Sequence, residues 1–171
     1  MTIKQLADEF HLWRQIEAAV DAVLSQKSGS DLLEKIAPIP VRSSRATRRL
    51  GVYVFQGRKP VCIRLQFAQE TKNLKQTFLH EVAHVCDHLS CWELRKSCRQ
   101  THGESWRMWA RALDVSTAVS GESEALRQLY QQRLKLVGVC QKCGAEFFRL
   151  RRLNSRQIHT HNRCGGRIRQ F

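Results

Sequence analysis

The sequence predicts an α+β fold in which helices pack on a small antiparallel sheet, followed by a small C-terminal metal-binding module. Three observations predict it. Apolar residues recur at three- and four-residue steps in several separate segments, as on helix faces that pack on a core. Two short runs of β-branched and aromatic residues flank a glycine turn between residues 51 and 65. From about Leu136 onward, short apolar runs with cysteines, glycines and arginines replace the helical pattern.

The first segment carries one long amphipathic pattern, which predicts a helix that ends at Ser28-Gly29-Ser30. A short second helix is predicted from Asp31 to Ile36, where Pro38 and Pro40 stop it. The apolar positions of the first helix are Ile3, Leu6, Phe10, Trp13, Ile16, Val20 and Leu24.

A basic segment and a hairpin follow. Residues 41–50 contain four arginines and no acid. Residues 51–55 and 61–65 predict antiparallel strands joined by a turn, and a strand near Val41 would complete the sheet. Further helices are predicted from about Thr71 to Leu89, from near His102, and around Leu126.

Composition limits the class of protein. A chain of 171 residues can form one main domain and a small appendage. No stretch approaches the roughly 18 apolar residues of a membrane span, and the N-terminal segment lacks the apolar run of a secretory signal. Seven cysteines, an odd number, favour metal binding over a disulfide framework. We therefore expect a cytoplasmic protein without membrane partners; a secreted protein with one free thiol is the alternative.

The formal net charge is +14, with a sequence pI near 10.1. Such a surface attracts polyanions, and nucleic acid is the polyanion that this charge predicts inside a cell. The alternative is a basic protein without a specific partner.

The helix predicted over residues 71–89 contains the pattern H-E-x-x-H, in His80-Glu81-Val82-Ala83-His84. Residues four apart lie on one helix face, so His80 and His84 can bind one metal ion. Glu81 would then take a proton from a metal-bound water, as in zinc-dependent peptidases. The alternative is a zinc ion held for stability alone, although a purely structural site has no need of Glu81.

A catalytic zinc ion usually has three protein ligands. His88 is one candidate, but it lies about 12 Å along the helix from His80, too far to share one ion comfortably. Glu93 and Glu104 are carboxylate alternatives. We prefer His102, which stands at the start of the next predicted helix, where Gly103 permits close backbone approach and Trp106 can anchor the helix in the core.

These motifs resemble the SprT-like metallopeptidases, the group that includes Spartan. The resemblance rests on HEVAHVCDH followed by HGESW, and on the basic segment and strand upstream, and it covers about residue 32 to the C-terminus. It implies a zincin-like domain that cleaves DNA-bound or DNA-crosslinked proteins. It also implies Glu81 as the catalytic base and three ligands of a catalytic zinc: His80, His84 and His102.

A second metal site is predicted near the C-terminus. Cys140 and Cys143 form a C-x-x-C knuckle, and His161 with Cys164 forms an H-x-x-C partner. Two such knuckles flanking short strands predict a zinc ribbon with a closed, structural zinc site. His159 is the alternative to His161, and a redox-active C-x-x-C is the rival interpretation.

The sequence thus predicts two domains, a metallopeptidase domain over residues 1–135 and the ribbon over residues 136–171. From Arg133 onward there are ten lysines and arginines and one acid, Glu146. Phe147 and Phe148 would stack on unpaired bases or form the ribbon's own core. The residues predicted to contact nucleic acid are Arg149, Arg151, Arg152, Arg156, Arg163, Arg167 and Arg169.

The function predicted is that of an intracellular zinc metalloendopeptidase, located with DNA, whose partners are DNA and the proteins bound to it. The alternative is a nucleic-acid-binding zinc protein whose peptidase site is idle or structural. The residues leave open the cleavage preference, the choice between DNA and RNA, strandedness and the oligomeric state.

Overall fold

The structure, a computed structural model, describes residues 1–93, 101–117 and 121–171, with the side chains of residues 92 and 93 left out. Its internal contacts divide the chain into two compact units, Met1–Leu126 and Arg127–Phe171. The domain boundary expected at residue 136 stays a prediction. No described helix is both long and apolar enough to cross a membrane.

The N-terminal helices differ from the single helix expected there. The chain forms α1 (Ile3–Glu9) and α2 (Trp13–Val23), and His11 between them has a left-handed backbone with φ of 60°. The backbone N–H of Phe10 donates to Leu6 and that of His11 donates to Asp8, which closes α1. The apolar pattern continues across this break because both helices bury the same side of the chain in one core.

Ser28-Gly29-Ser30 does not end a helix, so that prediction is wrong. All three residues lie inside α3 (Gln26–Ile36), and the helix expected at 31–36 is its second half. Gly29 is buried, and a Cβ atom there would lie 3.1 Å from Cγ1 of Val20. The glycine therefore allows α2 and α3 to approach closely, and tertiary packing offsets its low helix propensity.

The first unit contains a three-stranded sheet in the order β1-β3-β2. Strands β2 (Gly51–Gln56) and β3 (Lys59–Leu65) form the expected antiparallel hairpin, turning at Gly57 with φ of 58°. The sequence predicted an antiparallel sheet. The observed sheet is mixed, because strand β1 (Val41–Ser43) pairs with β3 in parallel. In the sequence β2 lies between β1 and β3, whereas in the sheet β3 lies between β1 and β2.

Three further helices are α4 (Thr71–Glu93), α5 (Glu104–Ala112) and α6 (Glu124–Gln132). Helix α4 runs further than the predicted end at Leu89. It packs against α5, β2 and β3. The core of the first unit lies around this helix, and its largest fully buried side chains include Phe78, Trp106 and Trp109.

The second unit contains an antiparallel sheet in the order β5-β4-β6. Its strands are β4 (Lys135–Cys140), β5 (Glu146–Arg149) and β6 (Ile168–Gln170). A small sheet of this kind beside a cysteine-rich cluster is compatible with a zinc ribbon. The chain as a whole is a mixed α+β protein, as the sequence predicted.

Candidate metal centres and their surroundings

Three histidines converge at the middle of α4. His80 and His84 lie one turn apart on α4, and His102 lies two residues before α5. The Nε2 atom of His102 is 3.1 Å from Nε2 of His84 and 3.3 Å from Nε2 of His80. Zinc–nitrogen bonds of about 2.0–2.1 Å in a tetrahedron place ligand atoms roughly 3.3 Å apart. The three nitrogens therefore fit a zinc ion.

The histidines are held in the neutral form. Burial lowers the pKa of His80 to about 4 and the pKa of His84 to about 3, and neighbouring imidazoles add to both shifts. Burial also lowers the pKa of His102. A metal ion binds the neutral imidazole, so these side chains need lose no proton to bind one at neutral pH.

Trp106 packs against all three imidazoles. Its ring centroid lies 4.8 Å from that of His80, 5.2 Å from that of His84 and 4.5 Å from that of His102. The side chain is fully buried, so this packing restricts the ring orientations of the three histidines. The burial of Trp106 agrees with the prediction that this residue anchors the helix in the core.

Glu81 is buried beside the histidines, with 6% of its surface exposed. Its carboxylate accepts a hydrogen bond from the backbone N–H of Tyr53 on β2. Burial raises the pKa of Glu81 to about 7, against the opposing effects of that hydrogen bond and of the Arg49 charge. A carboxyl group with a pKa near neutrality is suited to general acid–base catalysis, and a bound dication would lower the pKa.

Gly51 lies directly against this carboxylate. A Cβ atom at residue 51 would lie 2.9 Å from Oε1 of Glu81 and 2.7 Å from Cγ2 of Thr77. Strand β2 can cross α4 this closely because residue 51 has no side chain. Sequence reasoning gave Gly51 no role, and its position at the start of a strand was the one signal available.

A cavity of about 350 Å³ begins at His80 and Glu81 and extends along α4 towards its first turn. Two hydrogen bonds of 2.9 Å hold the outer wall of this cavity in place. Asn73 donates to the backbone oxygen of Glu122, and Glu70 accepts from the backbone N–H of Ala125. The Ala125 hydrogen bond is the main reason that the pKa of Glu70 falls to about 2.

The structure places the alternative ligands of the first site elsewhere. His88 is bonded at both ring nitrogens, with Nδ1 2.7 Å from the Tyr53 hydroxyl and Nε2 3.2 Å from the backbone oxygen of Gly57. Glu104 forms an ion pair with Arg111 at 3.0 Å. The side chain of Glu93 lies outside the described residues. Within the described residues, the histidine group that can hold a metal is His80, His84 and His102.

The second group contains Cys140, Cys143, His161 and Cys164, whose ligand atoms lie within 4.8 Å of one another. Nδ1 of His161 is 3.2 Å from Sγ of Cys143 and 3.3 Å from Sγ of Cys164. Cys164 is also 3.5 Å from both other sulfurs. Three thiolates and one imidazole in this arrangement are a typical structural zinc set.

The immediate surroundings of these sulfurs fit a metal. Although burial opposes it, the backbone N–H groups of Cys143 and Lys142 lower the pKa of Cys140 to about 6, which favours the thiolate. A Cβ atom at Gly166 would lie 2.6 Å from the Cys140 sulfur, so the chain closes tightly around it. His159 lies outside the group, with Nε2 3.2 Å from the backbone oxygen of Asn154.

The cationic side chains of the second unit are on its surface. The seven arginines predicted to contact nucleic acid are all exposed: Arg149, Arg151, Arg152, Arg156, Arg163, Arg167 and Arg169. Three of them, Arg156, Arg167 and Arg169, line one cavity of about 400 Å³. The two phenylalanines separate: Phe147 packs edge-on against His161 at 5.2 Å, whereas Phe148 is 51% exposed.

A scan against protein-family models matches residues 17–126 to the SprT-like family. The matched span includes the three converging histidines and Glu81, and it covers most of the first unit. Comparisons with curated proteins and with solved structures gave no match.

Proposed function

The chain belongs to the SprT-like family, and from this premise we propose that it is a zinc metallopeptidase that cleaves proteins bound or crosslinked to DNA. Membership indicates a metallopeptidase-like domain, and we propose a zincin-like architecture for the first unit. The observation that carries the proposal is the convergence of three neutral imidazoles beside one buried carboxyl group, Glu81.

His80, His84 and His102 would hold the catalytic zinc. When bound, zinc would polarise the scissile carbonyl and lower the pKa of a water molecule in the site. Glu81 would accept a proton from the attacking water and deliver it to the leaving amine. Its hydrogen bond from the Tyr53 backbone would keep the carboxylate oriented through both transfers.

The second unit would hold the protein on DNA. Its zinc ligands would be Cys140, Cys143, His161 and Cys164, and this zinc would be structural. Exposed arginines with a single acid nearby support phosphate binding. The exposed ring of Phe148 supports stacking on an unpaired base, whereas Phe147 is engaged with His161.

The test is proteolysis of a DNA-binding protein by the zinc-loaded chain, with no DNA, with single-stranded DNA and with double-stranded DNA. Glu81→Gln is the matched variant, because it removes the proton acceptor and keeps the shape of the side chain. We expect cleavage that requires both DNA and Glu81, with a loss of at least about a hundredfold in the variant.

Two other results would change the assignment. Cleavage at equal rates with and without DNA would retain the peptidase and remove the role of DNA. An absence of cleavage under every condition, with salt-sensitive DNA binding equal in the two proteins, would favour a nucleic-acid-binding zinc protein with an idle site. Zinc content measured on both proteins controls for loss of the metal.

A further inference from the structure

The cavity beside Glu81 is placed to receive a side chain of the substrate. It starts at His80 and Glu81 and continues along α4 past Thr77 to Asn73. If the peptide bond to be cut lies at Glu81, as the proposed function requires, the neighbouring residue of the substrate projects into this space. A volume of about 350 Å³ accommodates one side chain.

Polar and apolar groups share the lining of the cavity. Leu50 and Val115 are the larger apolar residues in its wall, and the remainder includes Asn73, Gln76 and Thr77. Such a wall can contact both the apolar stem and the polar end of a long side chain, so the charges in the lining would decide which end group is preferred.

Arg49 supplies a positive charge that would distinguish acidic side chains from other side chains of the substrate. It lines the cavity together with Glu81, and it forms no ion pair with the acids that the structure describes. The backbone next to it is held in place, because the backbone oxygen of Leu50 accepts hydrogen bonds from Gln66 at 2.9 Å and from Gln69 at 3.0 Å.

Three other charged residues line the same cavity: Arg48, Glu81 and Glu122. Arg48 and Glu122 have opposite signs, and each already takes part in interactions within the protein. Their contributions to the field in the cavity offset each other. The proposed function assigns Glu81 to the attacking water, so Arg49 is the remaining charged group that would pair with a substrate side chain.

We propose that Arg49 makes this cavity a subsite for an acidic side chain, aspartate or glutamate, on the residue next to the scissile bond. The inference rests on the proposed function and adds a substrate preference to it. A guanidinium group can pair with a carboxylate through two parallel hydrogen bonds. The preference would confine cleavage of basic DNA-binding proteins to the few places where an acid is accessible.

The test uses the full-length, zinc-loaded protein with a randomised peptide library, and cleavage sites are identified by mass spectrometry. Matched peptides with glutamate or glutamine at the mapped position give kcat/KM. We expect wild type to favour glutamate by about tenfold, the value of one charge-assisted hydrogen bond. Arg49→Gln should abolish the preference, and Arg49→Glu should favour lysine. Arg64→Gln, an exposed arginine on β3 outside the cavity, should leave it unchanged.

The results separate this inference from the proposed function. Cleavage that depends on Glu81 but shows no acidic preference, or a preference that survives Arg49→Gln, overturns the inference alone. If the library is not cleaved, fluorescence anisotropy of the labelled glutamate and glutamine peptides tests the subsite by binding. Tighter binding of the glutamate peptide, abolished in Arg49→Gln and kept in Arg64→Gln, supports the inference; equal binding overturns it.

Discussion

Gly51 decides how closely the sheet can approach the carboxyl group of Glu81. Its missing side chain lets β2 lie against Glu81, and the same approach brings the backbone N–H of Tyr53 to the carboxylate. No backbone strain is involved, since the requirement is one of space. A single methyl group at residue 51 would have to displace Glu81, Thr77 or the strand itself.

We expect Gly51→Ala to lower kcat/KM by roughly a hundredfold, because a catalytic group displaced by about 1 Å can lose that factor. The measurement is cleavage kinetics, with zinc content and thermal unfolding followed in parallel. Gly57→Asn is the control, since no atom lies within 4 Å of a Cβ there and asparagine tolerates the positive φ. Full activity in Gly51→Ala would show that the close approach of β2 does not position Glu81.

At the scale of single residues, the sequence predicts the site residues that lie close together along the chain. The H-E-x-x-H pattern places His80, Glu81 and His84 on one turn of helix, and the structure brings His102 to them as expected. Their roles as ligands and base stay predictions. Gly51 and Arg49 could not be found in this way, because their roles depend on where a strand crosses a helix some thirty residues later in the chain.

The pairing of α4 with α5 brings His102 to the other two histidines. A buried hydrogen bond joins the two helices, in which Nε1 of Trp109 donates to Oγ of Ser90 at 3.0 Å. Both side chains are fully buried. This hydrogen bond fixes α5 relative to α4, and with it the segment that begins at His102.

Ser90→Ala should destabilise the first unit by about 1–3 kcal/mol, because it leaves the Trp109 N–H buried without an acceptor. Chemical unfolding followed by tryptophan fluorescence measures this difference. Zinc affinity should fall as well, since His102 would be held less firmly. Ser30→Ala, at an exposed position of α3, is the control. A variant as stable as wild type would mean that the indole finds another partner.

The elements themselves were predicted with uneven success, for physical reasons. Helix α4 and the β2–β3 hairpin follow from apolar periodicity and a glycine turn, which are local signals. Ser28-Gly29-Ser30 suggested a helix end, yet Gly29 serves the packing of α3 on α2. The parallel pairing of β1 with β3 is also non-local, so no pattern within residues 41–43 could reveal it.

Across the whole molecule, positive charge is concentrated towards the C-terminus. The second unit contains one acid, Glu146, among its lysines and arginines. The first unit carries the family match, the histidine cluster and nearly all of the acids. Binding of a polyanion and peptide hydrolysis would therefore be assigned to different units of one chain.

Replacing Arg156, Arg167 and Arg169 with glutamine should weaken DNA binding and reduce its salt dependence. For every phosphate that no longer pairs with an arginine, the slope of log K against log salt should become shallower by about 0.7–0.9. The measurement is fluorescence anisotropy over a salt series. The control replaces Arg14, Arg42 and Arg64 of the first unit, which are also exposed. An equal weakening in the control would show that binding depends on net charge and not on the second unit.

The packing of Trp106 against the three histidines has a spectroscopic consequence. All four tryptophans of the chain, at positions 13, 92, 106 and 109, precede the second unit. At the second metal group, where no tryptophan is available, cobalt in place of zinc would be detected through thiolate-to-metal absorption from the cysteines. Cobalt at the histidine cluster would quench the emission of Trp106, whose ring touches every candidate ligand. The protein therefore carries a separate optical reporter for each centre, one in emission and one in absorption.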